Sequence, residues 1–158
     1  LLYDEYPDMR LMIIGSGSQL IFLQMRANNL GIDDRVIFVT DQIAYGFYHL
    51  FDCFALTSFT EGLSMALLEA MGFGLPCLVT HEGGPHDLIQ DQENGLLVLQ
   101  DVHQVAVALV ALYQDKKLRN KLGKNAKDTV KHHFDAQAMV ENYEKCYRLA
   151  VQKTSSIL

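Results

Sequence analysis

The sequence predicts an α/β fold with a doubly wound parallel sheet flanked by helices, followed by an all-helical C-terminal segment. Short apolar runs alternate with longer helical patterns, which is typical of such sheets. Each run is continuously apolar, as expected for strands covered on both faces. The connections are short and rich in Gly, Ser, Asp and Asn.

The first two thirds of the chain hold the predicted strands and their connecting helices. The apolar runs predict strands at residues 11–14, 36–39, 53–56, 77–79 and 96–99. Helical patterns lie between them at residues 19–29, 44–51, 64–73 and 85–91.

The part of the chain after residue 99 is predicted to form three helices. The first is capped by Asp101 and runs to Tyr113, the second covers residues 116–132, and the third covers residues 136–151 with Asp135 as its cap. We expect one domain over residues 1–153 and a loose tail over 154–158. Because the chain opens on what looks like the end of a helix stopped by Pro7, we expect a longer protein, truncated here at its N-terminus.

Composition narrows the class of function. A net charge of -6 argues against nucleic-acid binding, and no apolar run is long enough to span a bilayer. Three widely spaced cysteines without a CxxC pair predict reduced thiols, no zinc and a cytoplasmic location. A basic stretch over 116–131 is a solvated helix face or, as an alternative, a contact with anionic lipid at the inner face of a membrane.

Residues 58–72 are the most informative segment. Glu69 interrupts an apolar helix that we expect to be buried all round, so its carboxylate needs hydrogen-bond donors. Glu61 precedes the same helix, and eight helical residues rise about 12 Å. Carboxylates that share one bond-breaking step lie about 5–9.5 Å apart. The spacing instead suits two anchors at opposite ends of an elongated ligand.

Between these glutamates lies the start of the helix, where the amides of Gly62, Leu63 and Ser64 are predicted to be free. Free amides at a helix N-terminus bind phosphate, and Gly62 lets the backbone approach closely. A ligand with hydroxyls at both ends and a diphosphate in the middle has the layout of a nucleotide sugar.

The pair Glu61 and Glu69 resembles the E-x7-E motif of retaining glycosyltransferases with the GT-B fold, especially glycosyltransferase family 4. Gly83-Gly84 followed by Asp87 is similar to the family's Gly-Gly-x-x-Glu loop, with Asp in place of Glu. The resemblance extends over residues 1–147 and includes segments 6–17, 30–38, 72–80 and 91–98. It implies the Rossmann-like, C-terminal donor-binding half of the enzyme.

The resemblance also implies roles for individual residues. Glu61 would contact the donor sugar and steady charge at the anomeric carbon, and Glu69 would hold the ribose hydroxyls. The amides at Leu63 and Ser64 would contact the diphosphate. The remaining expected donor-binding residues are Gly62, Gly83 and Gly84, with Gly15 and Gly17 at the mouth of the site and Val39 and Thr40 near the base.

The implied reaction is transfer of a hexose, with retained anomeric configuration, to a glycan, lipid or small-molecule acceptor. It needs no cofactor and no obligatory metal, since helix amides and basic side chains meet the phosphate charge. The Arg and Lys that grip the diphosphate, a central strand and the N-terminal acceptor domain would all precede Leu1.

Two other functions stay open at this point. A non-enzymatic nucleotide-binding or regulatory domain has the same fold, and a nucleotide-sugar epimerase has a related two-domain scaffold. A dinucleotide-dependent oxidoreductase is disfavoured, because Gly15-x-Gly17 lacks the third glycine of that fingerprint.

Overall fold

A computed structural model describes residues 2–59, 62–81, 88–134 and 136–155. Its strands are all parallel and helices flank them, which confirms the predicted α/β class. The chain divides into two compact units, Leu1–Leu50 and Phe51–Leu158. The single domain expected over residues 1–153 stays a prediction.

The first unit contains strand β1 (Leu11–Ile14), helix α1 (Leu20–Asn29) and strand β2 (Val36–Val39). Both strands have the predicted bounds, and they pair in parallel with Leu11 opposite Val36 and Ile14 opposite Val39. The expectation that both faces are covered is wrong for these strands, since Leu11 and Ile37 are exposed.

The helix predicted over residues 44–51 is wrong. Two short 3₁₀ turns, Ala44–Gly46 and Tyr48–Leu50, occupy that stretch. Their amides bond three residues back, from Phe47 to Ala44 at 2.9 Å and from Leu50 to Phe47 at 2.9 Å. Gly46 lies in the middle of the segment, and glycine disfavours a helix interior by about 1 kcal/mol.

The second unit is built on strands β3 (Phe54–Leu56), β4 (Cys77–Thr80) and β5 (Leu96–Val98), in the order β3-β4-β5. Helix α2 (Met65–Gly72) connects β3 to β4. The central strand β4 is buried at all four residues, as its continuous apolar pattern predicted. The flanking strands β3 and β5 are only partly covered.

The helix predicted over residues 85–91 is also wrong in its described part. Residues 85–87 lie outside the described residues, and Leu88–Asp91 is not helical. The amide of Gln90 donates to Oδ1 of Asn94 at 2.7 Å, while Asp91 forms an isolated bridge with Gly95. The side chain of Asn94 therefore organises this stretch as a loop.

Three helices follow the sheet, namely α3 (Val102–Gln114), α4 (Lys116–His133) and α5 (Ala136–Ser155). Asp101 caps α3 as predicted, with its Oδ1 accepting from the amides of His103 and Gln104. Asp115 caps α4 in the same way, whereas the predicted cap Asp135 lies outside the described residues. Helix α5 runs two residues into the predicted tail.

Helix α4 fixes the end of α2. Gly123 of α4 is buried, and a Cβ at this position would overlap the carbonyl oxygen of Gly74, which follows α2. The buried side chains of Leu78, Leu96, Ala108, Leu112 and Leu122 join the sheet, α3 and α4 in one core. In contrast, every described side chain of α5 is exposed. No helix in the described ranges is both long and apolar enough to cross a bilayer.

Candidate functional site

Helix α2 begins at the carboxyl-end side of the three-stranded sheet, in the loop that follows β3. Ser64 has an extended backbone (φ -77°, ψ 110°), and its hydroxyl accepts a hydrogen bond from the amide of Leu67 at 3.4 Å. The backbone amides of Gly62, Leu63 and Ser64 donate no hydrogen bond within the described residues. Among the described residues, three donors are thus left at and just before the positive end of the helix dipole.

Glu69 lies one helical turn after Met65, on the more open face of α2. Leu67, Ala70 and Met71 form the buried face, while Met65 is 62% exposed. The expectation of a helix buried all round is therefore wrong, because only one face packs on the sheet and on α4. Glu69 itself is half-buried.

Three predicted site residues cannot be placed. Glu61, Gly83 and Gly84 lie outside the described residues. Their roles, and the spatial relation of Glu61 to Glu69, stay predictions.

Two polar residues at the strand ends received no role from the sequence. Thr80, buried at the end of β4, donates to the carbonyl oxygens of Ser58 at 3.3 Å and Leu56 at 3.5 Å. Gln100 follows β5, and its Nε2 donates to the carbonyl oxygen of Thr57 at 3.1 Å. Together they tie the loop after β3 to the ends of the other two strands. A polar residue directly after an apolar run is the signal that could have identified them.

Gln100 has a second notable feature. Its Oε1 atom is buried and accepts no hydrogen bond among the described residues. Buried polar atoms are nearly always paired, so an unpaired one at the carboxyl ends of parallel strands lies where ligands bind in such sheets.

In the first unit, the predicted residues meet at the ends of β1 and β2. The amide of Gly15 donates to the carbonyl oxygen of Val39 at 2.9 Å. Gly15 has a φ of +144°, a conformation that favours glycine. Thr40 follows β2 and is half-buried, and a Cβ at Gly15 or Gly17 would have nothing within 4 Å. The strand ends therefore leave open space beside these glycines.

The structure brings the predicted residues together as two groups. Gly62, Leu63, Ser64 and Glu69 share the start and open face of α2 in the second unit. Gly15, Val39 and Thr40 lie at neighbouring strand ends in the first unit, with Gly17 just before α1.

The titratable groups of the second unit include two thiols close to the sheet. Burial, with a contribution from the nearby Asp52 carboxylate, raises the pKa of Cys53. Burial raises the pKa of the Cys77 thiol still further. Both groups stay protonated near neutral pH and act as small core side chains. No group of three or more potential metal ligands occurs within the described ranges.

Two clefts indent the second unit away from α2. One, of about 280 Å³, lies between the 90–94 loop and the second half of α4. The other, of about 570 Å³, runs beside β5 and α3. Their linings contain none of the predicted donor-binding residues.

A comparison with known families decides the class of protein. The model of the family described as glycosyl transferases group 1 matches residues 1–129. The chain belongs to this family. The GT-B fold expected from the E-x7-E resemblance is confirmed by solved structures, among them sucrose-phosphate synthase from Thermosynechococcus elongatus, with a TM-score of 0.84 and 25% identity over 94% of this chain and 40% of that one.

Two further proteins resemble the chain over most of its length. N-acetyl-alpha-D-glucosaminyl L-malate synthase of Bacillus anthracis is 32% identical over 143 residues, which cover 89% of this chain and 37% of that enzyme. The crystal structure of the C-terminal domain of the LpcC glycosyl transferase from Francisella tularensis has a TM-score of 0.74 and 30% identity, over 85% of this chain and 74% of that one. The chain thus spans well under half of the Bacillus anthracis enzyme.

Proposed function

We propose that this chain is the donor-binding, C-terminal half of a retaining glycosyltransferase that transfers a hexose from a nucleotide-diphosphate sugar to a glycan, lipid or small-molecule acceptor. The proposal rests on the geometry at the start of α2, in a chain that belongs to the group 1 glycosyl transferases. Three amides there are unbonded among the described residues, and Glu69 lies farther along the open face of the same helix.

The diphosphate of the donor binds at the amides of Gly62, Leu63 and Ser64. The hydroxyl of Ser64 accepts the amide of Leu67, so the protein satisfies that donor of the first turn itself. The amides assigned to the ligand belong to the cap residue Ser64 and the two residues before it. The helix dipole adds favourable electrostatic energy for the phosphate charge. This supply of donors replaces an obligatory metal ion in stabilising the leaving diphosphate.

The nucleoside extends along the open face of α2 towards Glu69. Five residues of helix from Ser64 to Glu69 rise about 7.5 Å. A carboxylate at this distance from the phosphates can reach the ribose that is attached to them. An ionised carboxylate accepts hydrogen bonds from two adjacent hydroxyls, which is the chemistry of a ribose. Glu69 is the group we assign to that contact.

The sugar end of the donor lies on the other side of the diphosphate, towards Glu61, which directly precedes Gly62 in the sequence. Its carboxylate contacts the sugar hydroxyls and stabilises positive charge that develops at the anomeric carbon. Gly83 and Gly84 are assigned to donor binding on the resemblance of their loop to the family's Gly-Gly-x-x-Glu segment. The acceptor hydroxyl attacks the anomeric carbon on the face from which the nucleoside diphosphate departs. The bond from that carbon to the phosphate oxygen breaks, and the hydroxyl proton passes to the departing phosphate, so the configuration is retained.

Four residues of the first unit are also assigned to donor binding. Gly15 and Gly17 have open space beside them at the end of β1, and Val39 and Thr40, at the end of β2, are assigned to contact with the base. The Arg and Lys that grip the diphosphate, together with the acceptor domain, are assigned to parts of the full-length protein outside this chain, which spans 37% of the Bacillus anthracis enzyme.

The comparisons support a nucleotide-sugar donor and a C-terminal half. Anabaena Alr3699/HepE, solved in complex with UDP-glucose, has a TM-score of 0.81 and 22% identity over 92% of this chain and 42% of that chain. The similar LpcC structure is itself a C-terminal domain.

The proposal is tested by the stereochemistry of the product. The full-length protein is incubated with a panel of UDP-, GDP- and ADP-sugars and with extracted glycan and lipid acceptors, and the new linkage is examined by NMR. We expect transfer with the anomeric configuration of the donor. An inverted product would contradict the retaining mechanism. Interconversion of the donor sugar without an acceptor would favour an epimerase, and binding without any turnover would favour a regulatory domain.

A further inference from the structure

The distribution of charge along the chain is strongly uneven. The sequence has 13 Lys and Arg against 19 Asp and Glu, a net charge of -6. Helix α4 nevertheless holds seven of those basic residues and one acid, Asp128. One helix is thus markedly positive on an acidic chain.

The lysines of α4 lie on one side of the helix. At 100° per residue, they fall within an arc of about 140° and extend over about 22 Å. This lysine face consists of Lys116, Lys117, Lys121, Lys124, Lys127 and Lys131, all of them exposed. Asp128 lies in the same arc, so the face has a net charge of five positive units.

The opposite side of α4 is used for folding. Leu122 and Ala126 are fully buried, and Gly123 packs against Gly74. The only arginine of the helix, Arg119, donates to the carbonyl oxygens of Leu112 and Tyr113 at the end of α3. The helix is therefore held with its lysine face directed outward.

The protein itself leaves most of these charges unpaired. Lys121 donates to the carbonyl oxygen of Gln92 at 3.0 Å. The ammonium groups of the other five lysines make no hydrogen bond or ion pair among the described residues. Five like charges held side by side repel one another, and an anionic partner would relieve that repulsion.

The chemistry of the face indicates which anionic partner it suits. Lysine ammonium groups are strongly hydrated point charges, which respond to a diffuse negative surface rather than to one bidentate group. The only guanidinium of α4 is used internally, and the helix contains no Phe, Tyr or Trp on which a base could stack. It also presents no large apolar side chain among the lysines that would anchor it in a protein interface.

We propose that the lysine face of α4 binds the surface of an anionic lipid bilayer. The attraction is electrostatic and does not require insertion, since about 1 kcal/mol is typical for each lysine near such a surface. The inference goes beyond the proposed transferase function and does not depend on it. It predicts that the second unit approaches a membrane with α4 facing the lipid headgroups.

The test is co-sedimentation of the full-length protein with phosphatidylcholine vesicles that contain increasing phosphatidylglycerol. A first variant combines Lys117→Gln, Lys124→Gln and Lys131→Gln. A matched control combines Arg10→Gln, Arg26→Gln and Lys145→Gln, which removes the same charge at exposed positions elsewhere. Thermal unfolding checks that both variants are folded.

We expect wild-type binding that rises with phosphatidylglycerol and is lost in about 1 M salt, where the Debye length falls to about 3 Å. The α4 variant should bind at least about tenfold more weakly, and the control within about twofold of wild type. Equal losses of vesicle binding in both variants would overturn the proposal, because binding would then follow the net charge of the protein and not the lysine face of α4. Binding without phosphatidylglycerol dependence, or retention on heparin or polyglutamate but not on vesicles, would also overturn it.

Discussion

The carbonyl oxygen of Gly74 lies directly against Gly123, so that α4 and the turn after α2 meet backbone to backbone. Gly74 has a φ of +79°, which an L side chain rarely adopts. The contact fixes the C-terminal end of the helix that contains Glu69.

Replacing Gly123 with alanine should destabilise the protein. The new Cβ would overlap the Gly74 carbonyl, and relieving the overlap forces α4 away from α2. Overpacking of this kind costs about 1–3 kcal/mol in the free energy of unfolding. Gly72→Ala is the matched control, because its Cβ would make an ordinary contact of 3.9 Å with Val130. Urea denaturation that gives both variants the same stability would contradict the described packing.

The cap of α2 gives a second prediction. Ser64→Ala removes the hydroxyl that accepts the amide of Leu67, with an expected loss of about 1 kcal/mol. Ser64→Gly should cost only about a few tenths of a kcal/mol, because glycine tolerates the cap backbone and exposes the amide to water. Thermal unfolding of the two variants measures the difference, and an alanine variant as stable as wild type would argue against this cap.

The thiols give a third prediction. Burial raises the pKa of Cys53 and Cys77, so the folded protein keeps both protonated, while Cys146 is exposed. Iodoacetamide near pH 8 should modify Cys146 first, as measured by peptide mass spectrometry. Equal labelling of Cys77 in the folded protein would contradict its burial.

The same pKa shifts set the direction of a pH effect. Because the folded-state pKa is raised, the unfolded chain releases these protons first. The stability that the protonated thiols contribute is present below about pH 8.5, the usual thiol pKa, and declines above it. A Cys53→Ser, Cys77→Ser variant should lose part of that alkaline decline.

The sequence predicted the strands well because their apolar runs are short and bounded by turn residues. β1 and β2 match residue for residue. It failed over 44–51, where an apolar, aromatic segment has helical periodicity but Gly46 stops the helix from propagating. It failed again at Leu88–Asp91, where the side chain of Asn94 accepts the amide of Gln90 and stabilises a loop. Such tertiary and side-chain contacts are not visible in a local pattern.

Two structural features of the candidate site follow from local sequence. Ser64 as the start of α2 and the glycine at the end of β1 are recognisable from residue type and position alone. The open face around Glu69 was not, since apolar residues all round a helix do not reveal which of them pack on the sheet. The hydrogen bonds of Thr80 and Gln100 were not predictable for a related reason, because their partners are distant in sequence.

Glu61 provides the prediction for turnover. Glu61→Ala in the full-length protein should lower kcat by about 10²–10³-fold, if its carboxylate stabilises charge that exists mainly in the transition state. The KM for the donor should change much less. Steady-state kinetics with a fixed acceptor measure both, and an unchanged kcat would remove Glu61 from the catalytic step.

Glu69 is the residue on which the proposed donor site depends most directly. The decisive measurement is calorimetric titration of the full-length protein with the nucleotide-diphosphate sugar that binds wild type best, for Glu69→Ala and for the control Glu93→Ala, whose carboxylate is exposed on the 90–94 loop. Loss of hydrogen bonds to a charged group predicts about tenfold to hundredfold weaker binding for Glu69→Ala and about wild-type affinity for the control. Wild-type affinity in Glu69→Ala would contradict the proposed donor site.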